Sequence, residues 1–283
     1  MEGEVRVLIS ADAEGVTGIT STNELLFGKP HYEFMRAMMT DDVNAAIAGA
    51  FDGGATEVVV NDAHWTMTNI LIERLDPRAD LIKGFQKHLC MVEGIQNADV
   101  VMFVGYHART GDSNGVANET ILGREIVEIR MNGRAVGESE INAAVAGAFG
   151  VPLVMASGDD VYEQELRATF PTVEFGLTKY AIERWSARCL APDRARANIR
   201  SAAERAVQRA ARGEFSPYHL SGPCELEVVF SSTAEAYMGS LVPGSSRTSP
   251  RTVTFSAADV VSAWKGFFAV LLLGWSATDE VYG

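Results

Sequence analysis

Cysteine is scarce in this 283-residue chain: Cys90, Cys189 and Cys224 are the only three. They are odd in number, far apart and form no CxxC pair, which excludes a disulfide framework and a thiolate-ligated zinc site. Positive charge is also short, with 24 lysines and arginines against 37 aspartates and glutamates and a formal net charge of −13. Proteins that hold polyanions need clustered basic side chains, so neither nucleic acid nor an anionic membrane surface is an expected partner. Long apolar runs are missing as well, since the longest, residues 267–275, falls far below the ~20 that cross a bilayer. The chain opens Met-Glu-Gly-Glu and enters an apolar segment with no basic stretch ahead of it. That pattern is expected of a cytoplasmic protein without a secretory leader.

What is present is a folded, globular composition: 47% hydrophobic and 22% charged residues exclude a disordered chain. Short β-branched runs at residues 5–10, 56–62, 98–106, 125–131 and 151–157 read as strands. Helical spacing at 31–51 and 139–149 separates some of them, and Gly53-Gly54 stops the first helix. Strands alternating with helices predict an α/β fold, a mostly parallel sheet flanked by helices. After Ala191 the character changes to a Pro-initiated helix at 192–212, strands at 224–232 and 252–257, a Gly/Ser/Pro-rich loop at 243–250 and a helix at 258–275. The expected division is an α/β metal-binding catalytic domain, 1–190, and a smaller α+β C-terminal domain, 191–283.

In parallel sheets the functional crevice lies beyond the carboxyl ends of the strands. The first strand delivers Asp12-Ala13-Glu14 there, the second Asn61-Asp62-Ala63-His64 and the third Tyr106-His107-Ala108-Arg109. Glu138 follows at a helix start. Two of only five histidines thus fall just past apolar strand ends, beside at least three carboxylates. Converging carboxylates repel one another unless a cation or a proton intervenes. Mixed nitrogen and oxygen donors without thiolate suit zinc, manganese or cobalt better than magnesium or calcium. An aspartate able to bridge, with His and Glu on either side, suits two metals about 3.5–4 Å apart and hydrolysis by a metal-activated hydroxide. Asp62 is a candidate partner for the His64 ring, and Asn61 for its loop. Each element alone also has a plain structural reading, as a turn, a helix cap or a satisfied core histidine.

The segments VLISADAEGVTG, VNDAHWTMTN, MVEG, VGYHARTG, VGESEINAAVAG and PLVMASGDD, in this order, resemble the zinc-dependent D-aminopeptidases of the bacterial dipeptide-transport (DppA) type. The likeness extends through LTKYAIERWSARCL and LVPGSS, nearly the whole chain. It implies two zinc ions bound by Asp12, Glu14, His64, His107 and Glu138, with short peptides or aminoacyl amides as substrates. It also implies a homo-oligomer, a ring-like decamer with its active sites reached from an interior channel.

One position departs from the pattern. The family carries a further histidine in a G-V-x-x-H segment, proposed as nucleophile or base, and GVANET here puts Glu119 at that place. Three readings stand. Glu119 replaces the imidazole as general base with Asn118 orienting substrate, the chain cleaves a different amide, or it is an inactive member that binds peptide without turnover. Arg109 and Lys179 are the candidate cations for a substrate carboxylate, with ion pairing as their alternative. Asp159 and Asp160 read either as site residues or as a helix cap.

Overall fold

The computed structural model describes residues 4–111 and 114–277. The opening Met1 to Gly3, part of the reading of the amino terminus, lies outside them. The first sheet has the order β3 (Ala79–Ile82), β2 (Glu57–Asp62), β1 (Arg6–Ala11), β4 (Val100–Val104), β7 (Leu153–Asp159), β8 (Glu174–Glu183) and β9 (Ser186–Cys189). All neighbours are parallel except the terminal β8–β9 pair. The expected α/β class is therefore the observed one. Strands β1, β4 and β7 are buried on both faces, which is why they read as continuous apolar runs.

The second sheet is antiparallel, in the order β11 (Ser245–Arg247), β12 (Thr252–Ala257), β10 (Cys224–Phe230), β5 (Ile126–Met131) and β6 (Arg134–Ala135). The fourth expected strand thus belongs here and not in the parallel sheet. Its alternating burial, with Ile126, Ile129 and Met131 inward and Val127 exposed, is that of a strand with one wet face. Asn132-Gly133, both at positive φ, turn it straight into β6. The loop expected at 243–250 contains β11.

Helix α1 (Thr22–Leu25) precedes α2 (Tyr32–Asp52), which packs against α5 (Pro192–Ala211) on one face of the first sheet. Pro192 opens α5, where its missing N–H is no loss. Gly49 lets the two helices touch: a Cβ there would sit 2.1 Å from the Arg200 carbonyl oxygen. Ile47 and Ile199 are fully buried in that cluster, each contributing roughly 1.5–3 kcal/mol. Helices α3 (Glu138–Ala148) and α7 (Val260–Trp275) share the other apolar cluster with the inner face of the second sheet, and α4 (Asp160–Thr169) and α6 (Thr233–Gly239) complete the fold. The expected boundary at residue 190 does not follow the sheets. Residues 126–135 join the second sheet, and 192–211 pack with the first. No helix of the described residues is long and apolar enough to cross a membrane.

Candidate metal centre

Three strand ends and one helix start meet at one place because β1, β2 and β4 run parallel in register, Ala11 beside Asp62 and Val104. Past β1 the chain bends over β4, with Asp12 N–H donating to Val104 O and Gly15 N–H to Gly105 O, both at 2.8 Å. Only glycine fits at 15, since a Cβ there would lie 1.9 Å from the Tyr106 carbonyl oxygen. That close approach sets Asp12 and Glu14 directly over the exit of β4, which carries His107.

Asp12 faces both histidines. Its Oδ1 lies 3.2 Å from His64 Nδ1 and its Oδ2 3.3 Å from His107 Nε2. Glu14 Oε2 is 3.3 Å from the same His64 nitrogen, and Glu138 Oε2 is 3.5 Å from the same His107 nitrogen. Two triads result, Asp12/Glu14/His64 and Asp12/His107/Glu138, each able to bring three donor atoms within 4.8 Å of one another. The remaining imidazole nitrogens meet carbonyl oxygens: His64 Nε2 is 3.0 Å from Leu25 O, and His107 Nδ1 is 3.0 Å from Ala108 O. A carbonyl only accepts, so those nitrogens carry the hydrogen and leave the inward nitrogens' lone pairs for a metal.

The donor set fits divalent ions on three counts. Glu14 Oε2, His107 Nε2, Glu138 Oε2 and Glu119 Oε2 are buried without a hydrogen-bond partner, an arrangement that costs about 1–3 kcal/mol per group when nothing else binds there. The contacts of 3.2–3.5 Å match the roughly 3.3–3.6 Å between donors of a tetrahedral zinc ion. The electrostatics agree. Burial pushes Asp12 up, yet His107 and His64 together hold it well below the ordinary carboxylate range. Burial lowers both imidazoles, but Glu14 and Asp12 around His64, and Glu138 and Asp12 around His107, hold them well above theirs. The pocket demands positive charge, which protons supply until a dication displaces them.

Glu138 opens α3 as expected, where Glu140 Oε2 accepts the Gly137 N–H at 3.1 Å and fixes the helix start. Its other oxygen, Oε1, accepts the Ile121 N–H. Glu119 stands beside this triad with Oε1 3.7 Å from His107 Nε2 and its side chain 16% exposed, whereas His107 is at 1% and Glu138 and Asp12 at 4%. The open side of the centre is therefore Glu119's. Burial, then the charge of Glu138, pushes its carboxyl well above the usual range. Asn118 is buried next to it on the same loop.

The cations expected for substrate are placed elsewhere. Lys179 is fully buried, and Nζ donates to the carbonyls of Glu14, Val16 and Ile19 at 2.6, 3.0 and 2.6 Å. Its three protons are used, so it has none for a substrate carboxylate. Arg109 turns to its own loop, with Nη1 on Thr110 O at 3.1 Å and Nε 3.9 Å from Glu165. Asp159 is the cap of α4, accepting the Tyr162 N–H at 2.8 Å. Asp62 closes its loop by accepting the N–H groups of Asn69 and Ile70 and does not reach the His64 ring. Asn61 donates to Cys90 O and Met91 O.

Asn69 was not singled out by sequence. Its Nδ2 donates to Asp62 Oδ1 at 2.8 Å and to His64 O at 2.6 Å, and its Oδ1 accepts from Tyr32 Oη. Backbone strain was equally hidden. Trp65 and Met67, beside His64, and Ala117 and Ile121, beside Glu119, all have positive φ, and Ile121 is β-branched, a true outlier of the kind that gathers at functional sites.

A family model described as D-aminopeptidase (peptidase M55) matches residues 5–269. A D-aminopeptidase of Bacillus subtilis (strain 168) is 34% identical over 268 residues, covering 94% of this chain and 96% of that protein. A solved structure described as the zinc-dependent D-aminopeptidase DppA from Bacillus subtilis, a self-compartmentalizing protease, superposes with a TM-score of 0.92 at 33% identity, over 97% of this chain and 99% of that one. With the fold, the converging histidines and carboxylates and the match along nearly the whole length in agreement, the chain belongs to the D-aminopeptidase family of metal-dependent peptidases.

Proposed function

We propose that this protein is a dinuclear zinc aminopeptidase that releases the amino-terminal residue of short peptides or cleaves related aminoacyl amides. The observation supporting two ions is Asp12, whose two carboxylate oxygens each face the histidine of a different triad. Asp12, Glu14 and His64 would hold one ion and Asp12, His107 and Glu138 the other, with manganese or cobalt as alternatives to zinc. Such ions, when bound, polarise the scissile carbonyl and acidify water. Glu119 is the proposed general base and acid: it takes the proton of the attacking water and passes it to the leaving amine. Its neighbour Asn118 orients the peptide. Arg109 donates Nη1 to the Thr110 carbonyl and is given no role on the substrate.

The solved relative is described as self-compartmentalizing, which supports a homo-oligomer here, a ring-like decamer in the same reading, in the cytoplasm. Metal analysis should find close to two transition-metal ions per chain. A panel of D- and L-aminoacyl amides and dipeptides should show turnover that a chelator abolishes. Glu119, standing where the family pattern has histidine, favours one second reading, a member that binds peptide without turning it over. Metal-dependent peptide binding with no hydrolysis across the panel decides for that reading, and an absence of bound metal refutes the first.

A further inference from the structure

The loop that carries Asp12 and Glu14 is gripped from β8 by two consecutive residues. Thr178 Oγ1 lies 2.7 Å from Gly15 O and 3.0 Å from Gly158 O, and Lys179 Nζ donates to Glu14 O, Val16 O and Ile19 O. In a regular strand consecutive side chains leave by opposite faces, so one loop should not receive both. The register explains it. Gly158 pairs with Leu177 and the next residue, Asp159, with Lys179, so Thr178 is an extra residue, a β-bulge. A bulge re-aims the side chains around it.

Lys179 is an unusual tenant for this place. It is fully buried, where an unpaired ammonium is costly, and it lies among the charges of Asp159, Asp42 and Glu14. A methionine would fill similar volume without that cost. The carbonyls explain the charge: a chain bending from residue 14 to 19 turns three oxygens inward, and an ammonium has three donors and no acceptor. Neighbouring residues have other anchors, Gly15 N–H on Gly105 O and Thr17 N–H on Asp42 Oδ2 at 2.9 Å. The anchor on Glu14's own carbonyl is Lys179.

We propose that the bulged Thr178–Lys179 pair is a positioning device for the first triad. By fixing the backbone at Glu14 it sets where the Glu14 carboxylate meets His64, while the His107–Glu138 pair, held by other loops, is independent of it. The inference rests on the proposed metal centre. Lys179 acts through Glu14 and touches no substrate.

The test is zinc titration of the metal-depleted full-length protein by calorimetry, repeated with cobalt to follow its visible absorption. His64→Ala and His107→Ala identify which binding step belongs to which triad. Lys179→Met should weaken the His64 step about tenfold or more, the range for groups that orient metal ligands, and leave the His107 step within about threefold. Thr178→Val should show the same pattern with a smaller shift, and it carries the test if Lys179→Met does not fold. Val207→Ala, a cavity in the buried α5 cluster, controls for lost stability alone. Equal weakening of both steps, as a general loss of stability produces, overturns the proposal, and so do unchanged steps. Wild-type protein that takes up no zinc overturns the metal centre itself, whereas two normal wild-type steps with unaltered variants overturn only the role of Lys179.

Discussion

The two triads share Asp12 but are built differently. The His64 side is held mainly by buried side chains, Asn69 on the His64 carbonyl and Lys179 and Thr178 on the Glu14 loop, with Leu25 O on its imidazole. The His107 side is held by main chain, with Ala108 O on the imidazole and the N–H of the strained Ile121 on Glu138. The unsatisfied atoms divide the same way. Glu14 contributes one of them to the first side, while His107, Glu138 and Glu119 each contribute one to the second. A frame bonded by buried side chains thus supports one half, and the other combines the β-branched outlier Ile121, most of the unpartnered atoms of the centre and its least buried carboxylate, Glu119. Under the proposed function the first half is scaffold for the ligands, and the second is where substrate and proton transfer would belong.

Breaking what the halves share should have the largest effect. Asp12→Ala removes a donor from both triads, so bound metal should fall from about two ions to fewer than one and activity should drop below detection, checked by elemental analysis and peptide turnover. Glu119→Gln separates chemistry from binding. It keeps shape and removes the base, so kcat should fall about 10²–10⁴-fold with metal content unchanged; equal loss of metal would make Glu119 a ligand. Asn69→Ala attacks the frame of the first half alone. It strands buried Asp62, Tyr32 and the His64 carbonyl, and should cost about 1–3 kcal/mol in denaturant unfolding while weakening the His64 metal step about 10–100-fold.

The smallest effect concerns stability only. Burial raises the Asp42 carboxyl from 3.8 to about 6, against the pull of the Thr17 N–H and of Arg196. An acid raised on folding contributes stability that is full below its unfolded value of about 3.8 and is lost as pH climbs through about 6. Urea midpoints of wild type relative to Asp42→Asn should therefore fall between pH 4 and 7. A difference that does not change with pH would show that Asp42 is ionised throughout.

The proposed ligands came together from sequence because each follows an apolar strand or opens a helix, so polarity changes sharply at the strand ends that converge. The parallel sheet was legible for the same reason. The partner of residues 126–131 was not, since its pairing with 224–230 reaches across roughly a third of the chain and leaves no local mark beyond alternation. Lys179 read as a free cation because sequence shows a charge but not the three carbonyls that meet it. Asp62 read as a partner of His64 from proximity alone, whereas a loop closed by Asn69 turns the two side chains apart. The strain at Ile121 is set by the contacts of a folded loop, and its residue type argues against it.

The side chains of the proposed ligands are only 1–7% exposed. Ions bound among them would be kinetically trapped: a substrate needs only the open side at Glu119, whereas a chelator has to replace several buried ligands and waits for the protein to open locally, at a rate set by that opening and not by the chelator's affinity. Inactivation by chelation should then be first order in time and saturate with chelator concentration. Brief exposure would leave an enzyme of this construction working, and the lifetime of its metals would measure how often the loop around Glu119 breathes.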